Sequence, residues 1–112
     1  MRKFHHVGLP TDDKQPDEIY VEATKVWVTE PLDHKYKVEF LRYEPDSPVT
    51  GPLRDQAHFA FETDDLDAEI EGKEVILGPF EALEGLRVVF VLEDGAVYEF
   101  MEYAEGKQRL TD

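Results

Sequence analysis

Two histidines and two glutamates recur at matched places in this 112-residue chain. The segment His6-Val7-Gly8-Leu9-Pro10-Thr11-Asp12-Asp13 lies over His58-Phe59-Ala60-Phe61-Glu62-Thr63-Asp64-Asp65, with four of eight positions identical. Further on, Glu39-Phe40-Leu41-Arg42-Tyr43 lies over Glu99-Phe100-Met101-Glu102-Tyr103. Each half therefore offers an imidazole on its first strand and a carboxylate on its last. Strand alternation puts His6 on a face with Gly8, and His58 with Ala60. It likewise groups Glu39 with Leu41 and Tyr43, and Glu99 with Met101 and Tyr103. If first and last strands are neighbours in each half, four donors converge across an approximate twofold axis. A single His or Glu in a strand is ordinarily a surface residue or a satisfied one. Recurrence of both types at matched positions is what favours ligation.

Two imidazoles and two carboxylates suit one divalent first-row metal ion: Fe, Mn, Co, Ni or Zn. The set has no thiolate and is not all oxygen, which disfavours Cu(I) and Ca. Octahedral coordination by His6, Glu39, His58 and Glu99 would leave two positions for water or substrate. Around them, Arg87 at a strand start is a candidate anion contact. Met101 and Tyr103, with Tyr43, are candidate lining residues. His5 is expected to face away from His6 unless a bulge re-aims it, and His34 falls in a turn.

The elements that must hold these residues are mostly strands. Phe4 to Pro10 reads as a strand ending at the proline, followed by a polar, proline-broken loop from Thr11 to Asp17. Val21 to Thr29 and Tyr36 to Tyr43 read as strands joined by a turn at Pro31-Leu32-Asp33-His34. Glu44 to Asp55, with three prolines and a glycine, is linker-like. His58 to Glu62 reads as a strand with His58 and Ala60 toward an open face, and Phe59 and Phe61 toward a packed one. A helix is expected from about Asp65 to Ile70, capped by Thr63 or Asp64 and stopped by Gly72. Val75 to Leu77, Leu86 to Leu92 and Ala96 to Tyr103 complete the strands, with Asp94-Gly95 as a hairpin signal. The boundaries expected are a first module at about 4–43, a linker at 44–55, a second module at about 56–103 and a polar tail at 104–112. All lie within one domain spanning 1–112. The matched anchors are offset by 52 residues at the histidines and by 60 at the glutamates, so the second half is longer.

Composition narrows the chemistry further. The net charge of −14, from 26 acidic and 12 basic residues, argues against nucleic acid or an anionic membrane as partner. The absence of cysteine removes disulfides, thiolate metal sites and thiol nucleophiles. No apolar run approaches membrane-spanning length and no signal peptide opens the chain, so a cytoplasmic location is expected. No phosphate loop, nucleophile elbow or nucleotide fingerprint is present.

The runs His6-Val7-Gly8-Leu9, His58-Phe59-Ala60-Phe61 and Tyr98-Glu99-Phe100 resemble the vicinal oxygen chelate superfamily. That group includes glyoxalase I, methylmalonyl-CoA epimerase, extradiol dioxygenases and the fosfomycin- and bleomycin-resistance proteins. The resemblance spans residues 4–103. It implies an α+β fold of tandem βαβββ modules forming a cupped, barrel-like mixed sheet with a metal inside the cup. His6, Glu39, His58 and Glu99 fall on the superfamily's ligand positions. The first module departs from the pattern, because Thr11 to Glu18 leaves little room for its helix. The implied activity is a metal-dependent lyase or isomerase acting on a small oxygen-rich metabolite through an enediolate or enolate. Glu99 or Glu39 would then move the proton. The alternatives are metal-free sequestration of a small molecule and extradiol-type dioxygenation. The partners expected are a small-molecule substrate and, for assembly, a second copy of the chain in a homodimer.

Overall fold

Alternating apolar residues between turn signals fold into one curled, eight-stranded mixed sheet with little helix, an α+β half-barrel. The structure is a computed structural model and describes residues 2–110. Its strands are β1 (Lys3–Pro10), β2 (Ile19–Val21), β3 (Val26–Val28), β4 (Val38–Tyr43), β5 (His58–Glu62), β6 (Glu74–Leu83), β7 (Leu86–Glu93) and β8 (Ala96–Tyr103). They lie in the order β2-β3-β4-β1-β5-β8-β7-β6. β1 and β5 are antiparallel at the centre, and each has a parallel partner on its other side, β4 and β8 respectively. First and last strands of each half are therefore neighbours, the condition on which convergence of the four donors depends.

The concave face buries Val26, Val28, Leu41, Ala60, Val88, Phe90, Val97 and Met101. On the convex face, α2 (Leu66–Glu69) covers Val89, Val91 and Phe100 with the fully buried Leu66. The helix is a single turn, shorter than the expected Asp65–Ile70. Its cap is Asp65, whose carboxylate accepts from the Ala68 amide at 3.1 Å, and not Thr63 or Asp64. Thr63 acts one step earlier, accepting from the Asp65 amide. The Leu66 amide donates to Glu102 on β8 at 2.9 Å, which fixes the helix to the sheet.

Further expectations change. Val21 to Thr29 is not one strand: β2 and β3 form a hairpin around a 3-10 turn, Glu22–Thr24, with Lys25 at φ 49°. β6 runs on through Gly78-Pro79 to Leu83, because an edge strand tolerates a residue with no N–H to donate. The linker contains a helical turn, α1 (Pro52–Asp55), whose Leu53 enters the core. Phe59 is 40% exposed while His58 and Ala60 are buried, so the face expected to be open is the enclosed one. The tail is not uniformly polar in its packing, since Leu110 is buried; Thr111 and Asp112 lie outside the described residues. Asp94-Gly95 does turn β7 into β8, with φ of 54° and 79°. Among the described residues, no helix is long and apolar enough to cross a membrane.

Candidate metal centre

Four central strands bring the donors together. In the β1–β5 register His6 stands opposite Ala60 and Gly8 opposite His58. The small residue two places after each histidine therefore leaves space for the imidazole of the other strand. At Gly8 the requirement is strict: a Cβ there would overlap the His58 ring. The parallel pairs repeat the pattern, with Gly8 beside Glu39 and Ala60 beside Glu99.

The result is a buried cluster. His6 and His58 are each 1% exposed, Glu99 6% and Glu39 7%. One donor atom from each residue lies within 4.8 Å of all the others. His6 Nε2 is 3.3 Å from Glu39 Oε1 and 3.4 Å from Glu99 Oε1. His58 Nε2 is 3.7 Å and 3.1 Å from the same two oxygens. Donors about 2.1 Å from one first-row ion are about 3.0 Å apart when adjacent in an octahedron and about 4.2 Å when opposite. The observed separations fall around these values. Both Nε2 atoms are buried with carboxylate oxygens 3.1–3.7 Å away but no well-formed hydrogen bond to them, which is costly unless something else occupies their lone pairs. The donor set and the orphaned nitrogens fit a divalent metal ion held by His6, Glu39, His58 and Glu99. All four come from one chain.

Within the cluster the imidazoles and carboxylates shift one another's titration. Burial works to lower the His6 pKa, but the Glu39 and Glu99 carboxylates overcome it and hold the imidazole well above its ordinary value. Burial pushes the Glu99 carboxyl up, and the His58 and His6 imidazoles outweigh it and bring the net shift down. Tyr43 and Tyr103 are raised by burial first and the nearby carboxylates second, which keeps both phenols neutral.

His5 departs from expectation. β1 carries a bulge between Phe4 and His6, so His5 turns inward with its neighbour. It is buried, and its Nδ1 lies 2.7 Å from His6 Nδ1. Of these two nitrogens one must donate and the other accept. With His6 Nε2 kept for a metal, Nδ1 of His6 carries the proton and donates to His5. Two adjacent histidines give no sequence signal for such a bulge.

The remaining candidates separate cleanly. Met101 is buried in the concavity and lines a cavity that Glu39 and Glu99 also border. Tyr103 faces the same side, with its hydroxyl buried and unpartnered, and its ring stands 6.1 Å from that of His5. Tyr43 lines the cavity with the Arg54 guanidinium over its ring. Arg87 is not brought to the site: it lies on the convex face, 3.6 Å from Asp67. His34 stays in its turn, accepting from the Tyr36 amide.

No protein-family model matches the chain, and no curated protein matches it. Among solved structures it is similar to hypothetical protein BH1468 from Bacillus halodurans C-125. The two superpose with a TM-score of 0.73 over 96% of this chain and 98% of the other, at 20% sequence identity. At that identity the likeness is one of fold.

Proposed function

We propose that the protein is a metal-dependent lyase or isomerase of the vicinal oxygen chelate type, its eight strands forming two βαβββ-like modules, the first without its helix. The observation that carries this reading is the buried His6–Glu39–His58–Glu99 cluster with its two orphaned Nε2 atoms. When bound, the metal would supply Lewis acidity toward two neighbouring oxygens of a substrate. His6 and His58 hold it through Nε2. Glu39 and Glu99 would complete the set, and one of them, released from it, would take and return a proton beside those oxygens; both border the cavity. The phenols of Tyr43, which lines the cavity, and Tyr103 stay neutral and do not compete for that proton. Inclusion of Glu39 in the cluster supports this reading over an oxygen-activating site, which favours two histidines, one carboxylate and three open positions. Elemental analysis of protein purified from metal-replete medium tests the proposal, with about one divalent ion expected per chain. Protein that is metal-free and takes up none of Mn, Fe, Co, Ni or Zn would leave only metal-free binding of a small molecule in the cup.

A further inference from the structure

Beside the cluster the curled sheet borders a partly open cavity of about 60 Å³, measured as the space open to the centre of a water molecule. At roughly 10–15 Å³ per water on this measure, it admits a body of about four to six heavy atoms. Its polar boundary is confined to Glu39, Glu99, Tyr43 and Thr24, and every other lining side chain is apolar. Val26 and Val28 face it from β3, Val88 and Phe90 from β7, and Leu53 from α1. Among the described residues no lysine, arginine or histidine lines it, and Arg54 nearby is engaged by the Tyr43 ring and the Val49 and Glu44 carbonyls. A phosphate, a sulfonate or a second carboxylate would enter this cavity with no counter-charge and against two buried glutamates.

From this we infer that the ligand of the cup is a small molecule with paired oxygens at one end and a short, uncharged apolar body at the other. The inference rests on the metal reading for the oxygen end only; the apolar end rests on the cavity. It excludes polyanionic substrates and those oxygen-rich along their whole length.

Hydroxamic acids, which present two adjacent oxygens on an alkyl tail, probe both ends at once. Zn(II)-loaded protein is titrated calorimetrically with acetohydroxamic, butanohydroxamic, hexanohydroxamic and octanohydroxamic acids. Affinity is expected to rise about four-fold per added CH₂ while the tail is being buried, and to level off between hexano- and octanohydroxamate. Succinic monohydroxamic acid, with a charged tail of butano- length, is expected to bind at least ten-fold more weakly than butanohydroxamic acid. The chain has two methionines, so [¹³C-methyl]methionine labelling gives Met101 as a cavity reporter beside Met1. Its resonance should move with the longer tails. Val88→Phe should erase the gain from chain length and leave acetohydroxamate binding in place. Val88→Ala, which removes volume and serves if the larger side chain prevents folding, should extend the gain to longer tails. A flat series, or a charged tail bound as well as a neutral one, overturns the inference. If Zn(II) does not bind, the metal reading fails by itself, and metal-free protein is titrated with 1,2-propanediol through 1,2-octanediol. A Met101 shift and affinity that rise with chain length then uphold the apolar end, and their absence overturns it.

Discussion

His58 and His5 are both buried imidazoles within one cluster, but only His58 offers a nitrogen directly to the metal position. His58→Ala removes a ligand and should abolish measurable binding of Zn(II) or Co(II). His5→Ala removes only the acceptor that fixes the His6 tautomer, and should weaken binding by about 10–100-fold. Competition titration against a chromophoric chelator distinguishes the two; equal losses would mean that His5 is itself a ligand or that His58 is not. Proton linkage makes a second test. In the metal-free chain the carboxylates hold a proton on His6 above the ordinary imidazole pKa, and that proton must leave when Nε2 takes a metal. Metal affinity should therefore keep rising between pH 7 and 8, approaching ten-fold per pH unit for one displaced proton, where an ordinary imidazole would already be neutral. Calorimetry in buffers of different ionisation enthalpy should show that proton released. An affinity independent of pH over this range would remove the ion-paired picture of His6.

At the scale of the strands, the site depends on two imidazoles sharing the narrow gap between β1 and β5. Gly8→Ala places a methyl where the His58 ring lies. The ring must swing away, so metal binding should fall by at least 100-fold, while far-UV circular dichroism stays that of the wild type. Ala60→Gly, the reciprocal change, removes volume and should leave metal binding within about ten-fold. Retained affinity in Gly8→Ala would show that His58 reaches the metal from elsewhere. The same gap explains what the sequence could disclose. Period-two alternation places His6, His58, Glu39 and Glu99 on one face once the strands are known, and the repeat of His-x-small and Glu-x-x-x-Tyr made their convergence legible. What alternation cannot carry is a break in itself. The bulge at His5 inverts the facing of that residue, and the left-handed Lys25 folds one apparent strand into two. Nor does alternation say which face is enclosed. Phe59 is more hydrophobic than His58, but curling of the sheet encloses the histidine side, and a single helical turn is too short to cover Phe59 as well. Residues that close the cup from outside the repeat, Leu53 in the linker and Leu110 in the tail, have no periodic signal at all.

For the whole molecule, the cluster is also a joint. Its ligands come from β4, β1, β5 and β8, the four contiguous central strands, so a bound ion would tie the two halves of the sheet across the β1–β5 pair. Among the described residues, that pair is where the strands of the two halves are hydrogen-bonded to each other. A ligand that binds the folded chain alone stabilises it by mass action, by about 2.7 kcal/mol at a hundred-fold excess over Kd. For a domain of this size each kcal/mol is worth roughly 4–8 °C in melting temperature. Zn(II) at that excess should therefore raise the melting temperature by about 10–20 °C, and a chelator should return it to the metal-free value. Because the ligands span the junction, the gain should appear in one cooperative transition, with tryptophan fluorescence at Trp27 on β3 and far-UV circular dichroism shifting together. His58→Ala should abolish the shift without broadening the metal-free transition. A melting temperature unmoved by saturating metal, or a shift confined to one of the two probes, would show that the four residues do not act as a shared joint, however close they lie.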